Sequence, residues 1–165
     1  MTGYVWAKTL LSAYRLVPKI VRDVQEIVRI QALKSSGFFE SNFSQLSTIS
    51  QISKMEKLVS LKDRAIFLKD YVEEIMSQLE REQQILLSEL FFKRNRITDV
   101  VQFKELSERT YYRKIKRALM DFEQKMKENS YKIADFQRDF FEDAWFIKLK
   151  ELHTKQQNRQ NSVSA

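Results

Sequence analysis

Two glycines and one proline in 165 residues leave this chain few ways to turn sharply. Glycine supplies the positive φ that tight hairpin turns require, and proline presets φ at other turn positions. A β-rich fold needs many such turns, so a hairpin-built sheet is excluded as the main architecture. Between the rare breakers the chain is rich in Lys, Glu, Leu, Gln, Arg and Ile, residues that lose little side-chain freedom in a helix. Apolar residues recur at intervals of three and four, which places them on single helix faces. The expectation is an all-α fold: a helical bundle with long N-terminal helices, a central helix-turn-helix and an aromatic C-terminal helix.

Residues 1–79 read as a helical assembly region. Trp6, Leu10, Ala13, Tyr14, Val17, Val21, Val24, Ile27, Val28 and Leu33 recur at helical intervals. Pro18 either ends one helix and opens the next, or kinks a longer one. Lys8, Arg15, Lys19, Arg22 and Arg29 lie mostly off the stripe. A membrane-surface helix would look similar, but Asp23 and Glu26 interleave with these bases, which favours a packed bundle helix. Residues 35–50 shift in composition, with six serines beside Phe38, Phe39 and Phe43, and read as a connection that docks its aromatics. From Leu46 to Leu79 the three-and-four spacing returns. A long helix that pairs with the N-terminal helix or with a second copy of itself fits this pattern; the heptad is too irregular for a parallel coiled coil, and two or three antiparallel bundle helices are the favoured reading.

The stretch from Leu106 to Leu119 carries the most chemistry. Ser107 can cap a helix, because its side chain accepts from an orphan N–H two or three residues on. Glu108 follows where the positive end of the helix dipole favours an acid. Tyr111, Ile115, Ala118, Leu119 and Phe122 form one stripe, which leaves Arg109, Tyr112, Arg113, Lys116 and Arg117 outward. A short capped helix with an apolar back and a basic front suits the major groove. Between Lys93 and Met120 stand nine bases and three acids, so six of the seven excess positive charges fall in about a sixth of the chain. A local basic face of this kind is the electrostatic footprint of nucleic-acid binding. The bland alternative is a solvated helix face with scattered Lys and Arg.

The preceding residues have a compatible layout. Glu80 to Phe92 forms an amphipathic helix with Ile85, Leu86, Glu89, Leu90 and Phe92. Lys93-Arg94-Asn95-Arg96 is a polar break. Thr98 and Asp99 open a short helix containing Val100, Val101 and Phe103, and Lys104-Glu105-Leu106 turns into the Ser107 helix. Residues 80–124 are thus expected to be a tri-helical reading domain.

The words Ile85-Leu86-Leu87-Ser88-Glu89-Leu90-Phe91-Phe92 and Ser107-Glu108-Arg109-Thr110-Tyr111-Tyr112-Arg113 resemble region 4 of the sigma-70 class of transcription initiation factors. More narrowly, they resemble the small phage-type regulators of Gram-positive bacteria, the ArpU and RinA groups. The resemblance covers about 45 residues. It departs in the turn, where Glu105 and Lys104 stand in place of the frequent Gly and Leu. It implies sequence-specific binding to double-stranded DNA and control of transcription, with RNA polymerase as a further partner, in the bacterial cytoplasm.

Base contacts are assigned to Glu108, Arg109, Tyr112 and Arg113. Phosphate contacts are assigned to Lys93, Arg94, Arg96, Ser107, Lys114, Lys116 and Arg117. A lone helix-turn-helix makes few base contacts, and two copies about 34 Å apart read two half-sites. A homodimer is therefore expected, through the long helices or the C-terminal aromatic helix.

That last element, residues 130–152, holds Tyr131, Phe136, Phe140, Phe141, Trp145, Phe146, Leu149 and Leu152. A stripe this wide must be covered, either by the N-terminal helices or by a partner. Residues 153–165 are polar, aperiodic and expected to be a flexible tail.

Enzymatic chemistry finds little support. His153 is the one histidine, it stands by the expected tail, and no companion ligand or nucleophile is in view. There is no Gly-rich phosphate loop, and no catalytic, metal or cofactor residue is assigned. Without cysteine there is neither a disulfide framework nor a Cys-type zinc site, and an intracellular home is expected. No apolar run approaches the length of a membrane span, and the N-terminus lacks a signal-peptide layout. Two alternatives to the regulator stand: a non-DNA helical protein whose basic helix binds an acidic partner, and a true sigma-like initiation factor.

Overall fold

The computed structural model of the chain describes residues 4–35, 45–95 and 105–163. The fold is all-α, with no strand among the described residues. It comprises α1 (Val5–Ser35), α2 (Gln45–Ser77), α3 (Arg81–Leu87), a π-helical turn (Ser88–Phe92), α4 (Glu108–Glu128), α5 (Ile133–Asp139) and α6 (Ala144–Val163). No helix among the described residues is long and apolar enough to cross a membrane. The expected aromatic connection with Phe38, Phe39 and Phe43, and the expected short helix around Thr98–Phe103, lie outside the described residues.

Pro18 sits inside α1 and does not end it. A proline removes one backbone donor, and the long helix on either side of it keeps the remaining ladder. By packing, the chain divides into two units whose boundaries fall inside α1 and α2. The first holds residues 1–15 and 68–165. The second holds residues 16–67.

Phe136 is fully buried at the centre of the first unit's core. Its ring lies 4.9 Å from Tyr71, 4.7 Å from Tyr131, 5.6 Å from Phe140 and 6.4 Å from both Trp6 and Phe146. The edge-on contacts to the two tyrosines bring ring hydrogens against π faces. The C-terminal aromatics therefore fold back on the first turns of α1 and the last turns of α2. Phe136, Phe140 and Phe146 are covered within the chain, while Phe141 is exposed. Beside this core a groove of about 430 Å³ runs between Trp6, Phe140, Phe141 and Lys150, with the Lys150 ammonium 4.5 Å above the Trp6 ring.

Two expectations for this region need correction. Residues 130–152 are not one helix, because the chain breaks at Phe140–Asp143 between α5 and α6. Asp143 stands just before α6, and its carbonyl accepts from the N–H groups of Phe146 and Ile147 at 3.0 Å. Aspartate favours such helix starts over helix interiors. Residues 153–163, expected to be a tail, continue α6. Their Lys, Gln and Arg residues are good helix formers despite the missing apolar stripe. His153 joins this segment to α1, with Nε2 3.0 Å from the Ser12 hydroxyl.

The second unit comprises two helical segments with a thin interior. Only Val17, Val24 and Ala65 are buried among its described residues. Ile27, Ile30 and Leu33 on α1 are exposed, as are Ile49, Ile52, Val59, Ile66 and Phe67 on α2. Ion pairs Lys19–Asp23 and Glu26–Arg29, both at 2.7 Å, line the outer surface of α1.

Candidate nucleic-acid interface

α4 begins as its sequence dictates. Ser107 is extended (φ −63°, ψ 149°), and its hydroxyl accepts from the Thr110 N–H at 3.3 Å. Leu106, just before the cap, packs with Tyr111, the fourth residue after Ser107, against Leu86. This is a hydrophobic staple, which fixes the angle at which the chain enters the helix. Tyr111, Ala118, Leu119, Phe122 and Met126 are buried along one face. Ile115 is half-buried and packs with Leu90 on the Leu86–Tyr111 contact.

Polar ties brace the same pair of helices. Gln83 of α3 donates from Nε2 to Asp121 Oδ2 at 2.6 Å, while its Oε1 accepts from the Glu80 N–H at 3.3 Å. One side chain thus closes the start of α3 and binds α4. The Lys114 ammonium pairs with Glu82 of α3. Sequence reasoning missed Gln83, Glu82 and Asp121, because nothing in local spacing joins residues 38 or 32 positions apart.

The assigned residues fall into three groups. Arg109, Tyr112, Arg113, Lys116 and Arg117 are exposed, and their spacing of three and four puts them on one face of α4. Glu108 is exposed in the first turn. Three other assigned residues are occupied. Lys114 is turned to α3 and its charge is engaged by Glu82, because α3 packs on that flank of α4. The Ser107 hydroxyl is engaged in the cap. Lys93 pairs with Glu89 at 2.7 Å. Arg94 is exposed beside it. Arg96 lies outside the described residues.

The turn holding Lys93 and Arg94 is unusual. From Ser88 the backbone widens into one π turn, closed by the Lys93 N–H on the Ser88 carbonyl at 3.0 Å. The Asn95 N–H then reaches back to the Glu89 carbonyl at 2.9 Å. Arg94 bridges the two with φ 54°, in the left-handed region where a β-carbon is crowded. Glu89 holds this turn through its side chain as well, accepting from Lys93 and from the Asn95 amide. Those two bonds hold its carboxyl below the ordinary range. Leu87 is buried although the sequence stripe omitted it, because Gln83, Leu86 and Leu87 stand at i, i+3 and i+4 on one face of α3.

Tyr14 closes the other side of this region. Its ring lies 4.2 Å from Phe92, and its hydroxyl donates to Glu73 at 2.7 Å. Burial, then the Glu73 hydrogen bond, push its hydroxyl up to about 12. No group of three or more His, Asp or Glu side chains that could hold a metal stands together among the described residues.

Comparison with family models, with curated proteins and with solved structures finds no match to this chain.

Proposed function

We propose that the chain is a sequence-specific DNA-binding regulator of transcription that lays α4 in the major groove. The observation that carries this reading is the division of α4 into a buried back, fixed on α3, and a basic front of Arg109, Tyr112, Arg113, Lys116 and Arg117. A fixed helix with its cap at the DNA-facing end can place the first exposed side chains on base edges. On this reading Arg109, Tyr112 and Arg113 meet bases, and Glu108 accepts from a cytosine amino group. Lys116, Arg117, Arg94 and Arg96 meet phosphates. Lys93 and Lys114 are less available to phosphates, since Glu89 and Glu82 already hold them. The chain would act in the bacterial cytoplasm as a phage-type regulator with a sigma region 4-like reader, with RNA polymerase as a second partner.

The test compares two variants at two salt concentrations against specific and random duplexes. Arg113→Ala should cost about 1–3 kcal/mol on the specific site and relax preference at one base pair. Lys116→Ala should weaken all duplexes alike and lower the salt slope by about one unit. An unchanged affinity and preference in Arg113→Ala would remove α4 as the reader. The basic face would then belong to an acidic protein partner.

A further inference from the structure

In α2, Ile52, Val59 and Ile66 are spaced by seven residues, and each is at least 38% exposed. Seven residues are close to two helical turns, so the three side chains form one stripe along the helix. The unit that carries them has little interior of its own, with Val17, Val24 and Ala65 as its buried apolar residues among those described. With Ile49 and Phe67 beside it, the stripe leaves on the order of 400 Å² of apolar side chain in water, a patch of the size that marks interaction sites on soluble proteins. A standard interface takes about 800 Å² from each partner, and the stems of flanking charged residues supply the remainder.

The flanks of the stripe differ in charge. Three residues on from Ile52 and Val59 stand Met55 and Lys62, on one side. Four residues on stand Glu56 and Asp63, on the other. When two identical helices run parallel about a two-fold axis, each flank meets the opposite flank of its partner, so lysine faces acid. When they run antiparallel, each flank meets its own copy, and acid faces acid. We infer that a second copy of this chain covers the stripe, with the two α2 helices parallel and Ile52, Val59 and Ile66 each against its own counterpart.

This pairing stands apart from the DNA reading, and its tests use no DNA. The full chain at tens of micromolar should sediment at twice 19.8 kDa. Val59→Glu, at a surface position of the single chain, should keep the helical far-UV spectrum and sediment at 19.8 kDa. Orientation is read by cross-linking, because the chain has no cysteine of its own. Ile52→Cys, Val59→Cys and Ile66→Cys should each oxidise to a disulfide-linked dimer, since matched seam positions lie within bridging distance. Cross-linking of Val59→Cys alone would overturn the parallel arrangement in favour of the antiparallel one. A wild-type monomer, or a Val59→Glu dimer as tight as wild type, would overturn the pairing and leave the stripe to a different protein.

Discussion

The Glu123 carboxylate accepts a hydrogen bond from the Ala7 backbone N–H at 3.3 Å, so α1 is capped by a residue of α4 that lies 116 positions away. The first turn of α1 has no acid of its own. Glu123 places a carboxylate where the helix dipole is positive. Burial raises its pKa, while the Ala7 and Trp6 N–H groups and the charges of Lys127 and Lys8 oppose the rise. The neighbouring Lys8 ammonium is lowered, again by burial, with Glu123 opposing.

Glu123→Ala should therefore destabilise the fold by about 1 kcal/mol, the usual cost of losing a helix cap. Glu123→Gln keeps an oxygen acceptor without a half-buried charge and should cost less. Urea unfolding of the three proteins checks this. Equal stability of Glu123→Ala and wild type would show that the contact contributes nothing.

Arg94 sets a second expectation. Glycine adopts φ 54° without the crowding that any β-carbon brings. Arg94→Gly should stabilise the protein by about 1 kcal/mol. On the proposed function it should also weaken DNA binding and lower its salt slope. Stability up and affinity down in one variant separate the role of the backbone from that of the charge. Thermal unfolding and a salt titration give the two readouts.

His153 predicts a dependence on pH. Burial holds its imidazole below the ordinary range, the Lys8 charge adds to this, and Gln156 opposes it. The unfolded chain therefore binds a proton near the usual value of about 6.5 while the folded chain resists it. Stability is greatest above that pH, falls as pH drops through it, and levels off below the lowered folded value. The melting temperature of the wild type should drop between about pH 7.5 and 5.5, the range that spans the titration of the unfolded chain. His153→Gln should remove part of that drop. An unchanged drop would place the effect elsewhere.

Phe136 and Phe141 are five positions apart and should respond to very different degrees. Phe136 has no exposed surface, and Phe136→Ala should cost about 3–5 kcal/mol through lost burial and a cavity among the rings. Phe141 is 66% exposed, and Phe141→Ala should change stability by less than about 0.5 kcal/mol. Denaturant midpoints of both variants decide whether the aromatic core is as packed as the ring distances indicate.

What the sequence made legible was local. The Ser107 cap and the buried face of Tyr111, Ala118, Leu119 and Phe122 follow from spacings of three and four, which any helix must obey. The break at Phe140–Asp143 was masked, because the apolar stripe continues in phase across it and only Asp143 signals a new start. The helical course of residues 153–163 was masked for the opposite reason. That segment has helix formers but little apolar patterning. The contacts Glu123–Ala7, Gln83–Asp121 and Ser12–His153 join residues 116, 38 and 141 positions apart. Such pairs are set by tertiary packing, and no local period announces them.

The bracing of α4 on α3 has a kinetic consequence. Leu86–Tyr111, Gln83–Asp121 and Glu82–Lys114 hold the helix along its length before any partner arrives. Its backbone need not order itself on encounter, so the entropy lost in docking is confined to overall motion and a few exposed side chains. On the proposed function, arrival at DNA should then be limited by orientation and by the long-range pull of the basic face, with a rate that falls steeply as salt rises. The heat-capacity change of binding should match surface burial alone, without the extra term that accompanies folding upon association.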